Sequence, residues 1–246
     1  MLIGRKIGQY NQKITRPGAG SLAVTSYAPD VVVSGTTLFL NHFNETDASI
    51  SLSDVVAGVT WTINANAEAD TAQKKFGTSS VLIPQGANEW IEADGWTSPH
   101  EQLWTWEGFV MWDVAYSSGT NWEAFLATSA DVKGARLYLE GDADLWLELN
   151  GTAGSGSTGV SVATISINTW YHWAVVRESS TTYGIYWNGS RVNQSSWGST
   201  QDLQSIDKVV YQNNTDNSTV WFDETRLITS VEYTGTYTVP STEFSI

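Results

Sequence analysis

Apolar and polar positions alternate in short runs along most of this chain, and the runs are broken by Gly, Asn, Asp and Ser rather than by helical spacing. The densest run is Trp170–Arg177. Trp170, His172, Ala174 and Val176 share one face of an extended segment, and Tyr171, Trp173, Val175 and Arg177 share the other. Neither face is polar, so the pattern predicts a strand in the middle of a sheet, covered on both sides. The next run, Tyr183–Gly189, ends in Asn188-Gly189, a pair that tolerates the positive φ angles of a tight hairpin, with Arg191 and Val192 beginning the return strand. Trp104–Val114 is apolar on both faces and reads as a second central strand. Further strands are predicted at Thr37–Asn44, Val59–Ile63, Trp90–Glu92, Glu123–Ala127, Ile206–Gln212 and Val220–Leu227, and Gly77 permits a tight turn into another. Ala135–Leu139 and Leu145–Leu149 form a predicted hairpin around Glu140–Asp144. Gly151–Gly159 reads as a flexible turn and Trp197–Gln204 as a loop. Strands this short and this closely spaced, with turn residues between them, predict an all-β sandwich of two antiparallel sheets, a jelly roll.

Composition sharpens the picture. The 246 residues include 13 Trp and 10 Tyr, more rings than a core alone requires, so some are expected to face solvent or an interface. Acidic residues outnumber basic ones 26 to 12, for a net charge of −14. That balance argues against nucleic acid and anionic membranes as partners, because little basic surface is present to replace phosphate counterions. With no Cys there is no disulfide, thiolate metal site or thiol nucleophile, which favours a microbial or viral source. The start of the chain lacks the apolar stretch of a secretory signal, and no segment has the length and apolarity of a membrane span. Residues 1–34 differ from the rest. They are interrupted by Gly and Pro and hold Arg5, Lys6, Tyr10, Lys13 and Arg16, which reads as an attachment arm preceding a body at 35–246.

Several ordered motifs resemble the laminin-G-like branch of the concanavalin A-like jelly rolls, as found in bacteriophage virion proteins. The family's "WYHVAVTR" appears as Trp170–Arg177, and "lYvDG" as Ile185–Gly189. A late "iDELRI" strand appears as Trp221–Leu227, an opening "LLHFDG" as Thr37–Asn44, and "kFGgaS" around Phe76-Gly77. The ending "YtgnFtpP" is matched by Tyr233–Pro240. The resemblance implies a non-catalytic virion surface protein, either capsid decoration or a tail component. It also implies assembly in the host cytoplasm and attachment to other virion proteins through the arm. Homo-oligomerisation, with a trimer as the form common in such proteins, and adhesion to a host surface glycan would follow. Phe76 is expected to plug one end of the sandwich.

Candidate chemistry divides into three sets. Trp96, Trp122, Trp187 and Trp197 border turns or loops and are candidate platforms for sugar rings. Clustered oxygens at the sandwich rim suit calcium, and the candidates are Asp47, Asp54, Asp142, Asp144 and Asp223, with Glu92 nearby. On a regular strand Glu224 and Arg226 share a face, and Arg177 lies on another central strand, so a structural salt bridge competes with a metal. Enzymatic alternatives are a glycosidase using the carboxylates of Glu140-Gly141-Asp142-Ala143-Asp144, or a polysaccharide lyase using a Tyr/His/Arg set in a groove. The carboxylate run reads better as a hairpin tip. His42 and His172 read as packed residues bonded to backbone or hydroxyl partners, and His100 as an exposed loop residue.

Overall fold

The computed structural model describes residues 35–86, 89–99, 102–113, 122–127, 133–140, 144–151, 154–161, 165–196, 206–213 and 219–246. No helix occurs among them. In chain order the strands are β1 (Thr37–Asn41), β2 (Thr60–Asn64), β3 (Glu68–Asp70), β4 (Ser80–Ile83), β5 (Glu89–Asp94), β6 (Trp104–Trp112), β7 (Trp122–Ala127) and β8 (Lys133–Glu140). They continue as β9 (Asp144–Gly151), β10 (Gly154–Ser161), β11 (Tyr171–Arg177), β12 (Thr182–Trp187), β13 (Ser190–Ser196), β14 (Lys208–Asn213) and β15 (Val220–Ile228).

These strands form two antiparallel sheets. An eight-stranded sheet A runs β13-β12-β11-β6-β15-β4-β3, with β1 paired to β15. A seven-stranded sheet B runs β10-β9-β8-β7-β14-β5-β2. The fold is the all-β jelly-roll sandwich that the pattern predicts. The two apolar runs are the central strands of sheet A, since β6 lies between β11 and β15, and every residue of β6 and β11 is buried. Asn188 and Gly189, at φ 45° and 80°, make the expected tight turn between β12 and β13.

The core between the sheets is a bed of large rings. Trp106 packs edge-on against Trp173 at 4.9 Å, and Tyr211 of the opposite sheet meets Phe222 at 4.8 Å. The Tyr211 hydroxyl would be costly to bury alone, and it is bonded to Thr225 and to the Trp106 indole N–H. Leu137, Leu139, Leu145, Leu147 and Leu149 close the core from the β8–β9 hairpin. A buried ring or branched aliphatic contributes about 1.5–3 kcal/mol, so this layer supplies most of the drive to stack the sheets.

Sheet A is apolar or shielded on its second face because the chain after β15 returns across it. Tyr233 and Tyr237 lie over Ala174, Val176 and Tyr186, and Phe244 lies over Leu40 and Phe109. This strap, residues 231–246, explains why the Trp170–Arg177 pattern has no polar face. Phe76 is part of the same outer layer. It meets Phe109 edge-on at 5.4 Å, so it covers the back of sheet A rather than plugging the end of the sandwich.

Two segments depart from the sequence pattern. Gly151–Gly159 reads as a flexible turn, but Gly151 closes β9 and Gly154–Ser161 is the edge strand β10, in continuous register with β9 from Gly154↔Gly151 to Ser161↔Asp144. Main-chain pairing needs no side chain, which is why residues poor in β propensity can form it. Residues 165–170, ahead of β11, are irregular. The second departure is a bulge in β15, where the register shifts between Asp223 and Arg226 and Glu224 adopts φ 48°. Phe222, Thr225 and Leu227 thus stay in contact with the core, while Asp223, Glu224 and Arg226 all reach the strap side.

Gly77 is a local requirement of this packing. Its φ is 54°, and a Cβ there would fall 1.8 Å from Asn44 Oδ1, which accepts from the Thr78 N–H and hydroxyl. Gly77→Ala is expected to cost about 1–3 kcal/mol through strain in the left-handed region and the lost Asn44 bonds. Urea denaturation at neutral pH checks this, and a change within a few tenths of a kcal/mol would refute it.

Candidate functional site

Three polar constellations stand out. The first lies under the strap. Glu107 is wholly buried, and it accepts from Arg226 Nε at 2.7 Å, His172 Nε2 at 3.0 Å and the Tyr233 hydroxyl at 2.6 Å. The Tyr237 hydroxyl lies 2.6 Å from His172 Nδ1 and completes the chain. Burial alone would push the Glu107 carboxyl up, but Arg226, His172 and Tyr233 hold it down at about 2. This is a Tyr/His/Arg convergence of the kind a lyase would need in a groove. Here it is sealed beneath residues 231–246, and its members are bonded to one another. It acts as a clasp that fastens the strap.

The second constellation lies on sheet B, on the face turned away from the core. Alternation in β8 and β9 sends the leucines inward and Arg136, Tyr138, Trp146 and Glu148 outward. Tyr138 and Trp146 are cross-strand partners whose rings lie nearly parallel, 13° apart with centroids at 6.4 Å. The Arg136 guanidinium sits 4.0 Å over the Tyr138 ring, and Glu148 accepts from Arg136 and from the Tyr138 hydroxyl, each at 3.1 Å. Gly159 of the edge strand is the register partner of Trp146. Trp146 itself is half-buried. Tyr138, Trp146 and Trp90 fall on one register row across the sheet, through Glu123 and Gln212.

The third is a cleft of about 400 Å³ at the rim, lined by Asp94, Gly95, Trp96, Asp207 and Lys208. It forms where β5 ends beside the start of β14, with Asp94 in register with Lys208.

The predicted site residues are distributed as follows. Trp96 and Trp187 are not the solvent-facing platforms expected from their neighbouring turns. They are only 8% and 7% exposed, because Trp96 packs on Phe39 and Trp187 stacks on Tyr171 within the core. Trp122 lies on β7, with its side chain outside the description, and Trp197 lies outside the described residues, as do His100 and Asp142. The arm residues Arg5, Lys6, Tyr10, Lys13 and Arg16 also lie outside them. Glu140 and Asp144 are cross-strand partners at the end of the β8–β9 hairpin, which supports the hairpin reading of that carboxylate run.

The acidic candidates have local partners of their own. Asp47 accepts from the Thr71 N–H and hydroxyl, and Asp54 uses both oxygens on Leu40 N, Val56 N and the Trp61 indole. Asp144 opens β9 half-buried, and Glu92 pairs with Lys208 at 3.2 Å. Asp223 is fully buried, with Oδ2 accepting from Lys75 N and Phe76 N, and burial pushes its carboxyl up to about 8 despite those bonds. The bulge also undoes the expected Glu224–Arg226 bridge. Arg226 turns to Glu107, while Glu224 meets His42 Nδ1 at 2.9 Å and the Phe244 N–H. Among the described residues the donors that gather within 4.8 Å as a possible metal set are His42, Glu224 and Glu243. The sequence reading passed over Tyr138 and Trp146 as a pair. The strict leucine alternation of the hairpin was the available signal, since it fixes what the other face presents.

No protein-family model matches the chain, and no curated protein matches it in sequence. Solved structures do. The binding domain of Paraclostridial Mosquitocidal Protein 1 superposes with a TM-score of 0.63 at 13% identity, over 80% of this chain and 49% of that one. The botulinum neurotoxin serotype G binding domain gives 0.64 at 13%, over 80% and 49%. The serotype D ligand binding domain, in complex with N-acetylneuraminic acid, gives 0.62 at 10% identity, over 80% and 48%. The chain therefore spans about half the length of these domains and shares their two-sheet sandwich fold.

Proposed function

We propose that this chain is a non-catalytic glycan-binding module whose contact surface is the outward face of sheet B around Trp146. The observation that carries the reading is the half-buried Trp146 indole on that face, backed by the buried, near-parallel Tyr138 ring and flanked by Arg136 and Glu148. An indole presents an apolar plate to the C–H face of a pyranose, and a guanidinium–carboxylate pair alongside supplies donors and acceptors for its hydroxyls. The structural neighbours are binding domains of toxins, and one was solved with a sialic acid, which supports a role in recognition for this fold. The setting we favour is the surface of a bacteriophage particle, as capsid decoration or a tail component, with residues 1–34 attaching the module to other virion proteins or to sister copies. The laminin-G-like motifs and the opposite charge tendencies of arm and body support that setting.

Glycan-array binding of the full chain tests the recognition role. Trp146→Ala is expected to weaken binding at least tenfold, a loss of about 1.4 kcal/mol or more, as for truncation of a central aromatic anchor. Its melting temperature should fall only slightly, because the indole is half-buried on an outer face. An array with no binding, or binding indifferent to Trp146, would overturn the reading.

A further inference from the structure

The rim cleft is separate from the Trp146 face, and its lining specifies a ligand. It is held open by rigid parts. Gly95, at φ 96°, lies so close to the Gly58 carbonyl that a Cβ would sit 2.3 Å from that oxygen, so the chain turns sharply after β5. Trp96 then plunges into the core against Phe39, leaving only a sliver of ring as cleft wall. On the opposite side Ile206 is fully buried, and the Asp207 N–H donates to the Ala127 carbonyl at 3.0 Å, which fixes where Asp207 and Lys208 begin. The charges do not balance. Lys208 is paired with Glu92, whereas Asp94 is exposed and has no hydrogen bond or ion pair with any described residue.

We infer that this cleft is a pocket for a single terminal sugar of neutral or amino type, a hexose or hexosamine without a carboxylate. This rests on the glycan-binding reading above and narrows it. A volume of about 400 Å³ admits one or two pyranose rings. Carboxylates accept hydrogen bonds from adjacent hydroxyl pairs and form ion pairs with an ammonium. The exposed Asp94 carboxylate repels a uronic or sialic acid, because Lys208 beside it is already matched by Glu92. The preference would therefore be opposite to that of the neighbour solved with N-acetylneuraminic acid.

The test is calorimetric titration of the full chain with methyl glucoside, D-glucosamine and N-acetylneuraminic acid, repeated on Asp94→Asn and Trp146→Ala. Glucosamine is expected to bind most tightly, methyl glucoside next, and the acidic sugar not measurably. Asp94→Asn should weaken glucosamine at least tenfold. Binding lost in Trp146→Ala but kept in Asp94→Asn would overturn the pocket while sparing the sheet B reading. So would array binding of longer glycans with no single sugar bound. Sialic acid binding at least as tightly as glucosamine would refute the charge argument.

Discussion

Glu107→Ala is expected to destabilise the fold by about 3–5 kcal/mol, the cost of stranding buried charges and donors by removing their shared acceptor. Three groups lose a partner at once: the Arg226 guanidinium, His172 Nε2 and the Tyr233 hydroxyl. None can turn to solvent without lifting the strap that covers them. For a domain of this size the melting temperature should fall by roughly 6–20 °C. The damage should also be directional. Tyr233 and Tyr237, stacked at 3.6 Å, hold residues 231–246 to the sheet through the clasp, so limited proteolysis of the variant should cut that strap before the sandwich strands. Glu107→Gln keeps the shape and one acceptor, and it should fall between the variant and the parent. A loss below about 1 kcal/mol, with the strap no more sensitive to protease, would mean that apolar packing of Phe244 and the tyrosines is sufficient to hold it.

The clasp also marks where the sequence stopped being informative. The central strands and their hairpin were legible because Trp104–Trp112 and Trp170–Arg177 are aromatic and β-branched runs that are apolar on both faces, and Asn188-Gly189 leaves few alternatives for the turn. What covered the second face of those strands was not legible. The strap has no regular structure, and its partners lie far off in sequence, as with His172 and Tyr237, 65 residues apart. The bulge at Glu224 erased a second inference. Strict alternation pairs Glu224 with Arg226, and one extra residue sends that arginine to Glu107 instead.

The candidate site was legible in part, for similar reasons. Turn-flanking tryptophans were read as exposed because turns usually are, yet a ring beside a turn can still point inward. Trp96 and Trp187 both pack into the buried cluster between the sheets. Trp146 sat inside a strand pattern and drew no notice, although its leucine neighbours at 145 and 147 require it to face outward. For a two-sheet fold, the outward residues of a strictly alternating hairpin are a better guide to a contact surface than proximity to a loop.

Stability is expected to peak on the acid side of neutrality, near pH 4–5, and two buried carboxylates set this. Glu107 is held at about 2 against an ordinary 4.5, so its contribution is complete above pH 4.5 and is lost as pH falls toward 2. Asp223 works the other way, lifted to about 8 from an ordinary 3.8. Below pH 3.8 it is protonated in both folded and unfolded chains and contributes nothing to the slope. Between 3.8 and 8 the unfolded chain releases that proton while the fold retains it, so each pH unit costs up to about 1.4 kcal/mol. Above 8 the penalty is constant. The net charge of −14 adds repulsion in the same direction as the remaining acids ionise. Asp223→Asn removes the titration while keeping an oxygen for the Lys75 and Phe76 N–H groups. Its amide has no acceptor at the Oδ1 position, so near pH 4.5 it should be no more stable than the parent. At pH 8–9 the ionised parent bears the larger cost, and the variant should be ahead by on the order of 2–4 kcal/mol. Denaturant midpoints measured from pH 3 to 9 on both proteins decide the matter. A parent whose stability is flat or rising from pH 5 to 8, or a variant that tracks it at every pH, would show that Asp223 ionises freely in the fold.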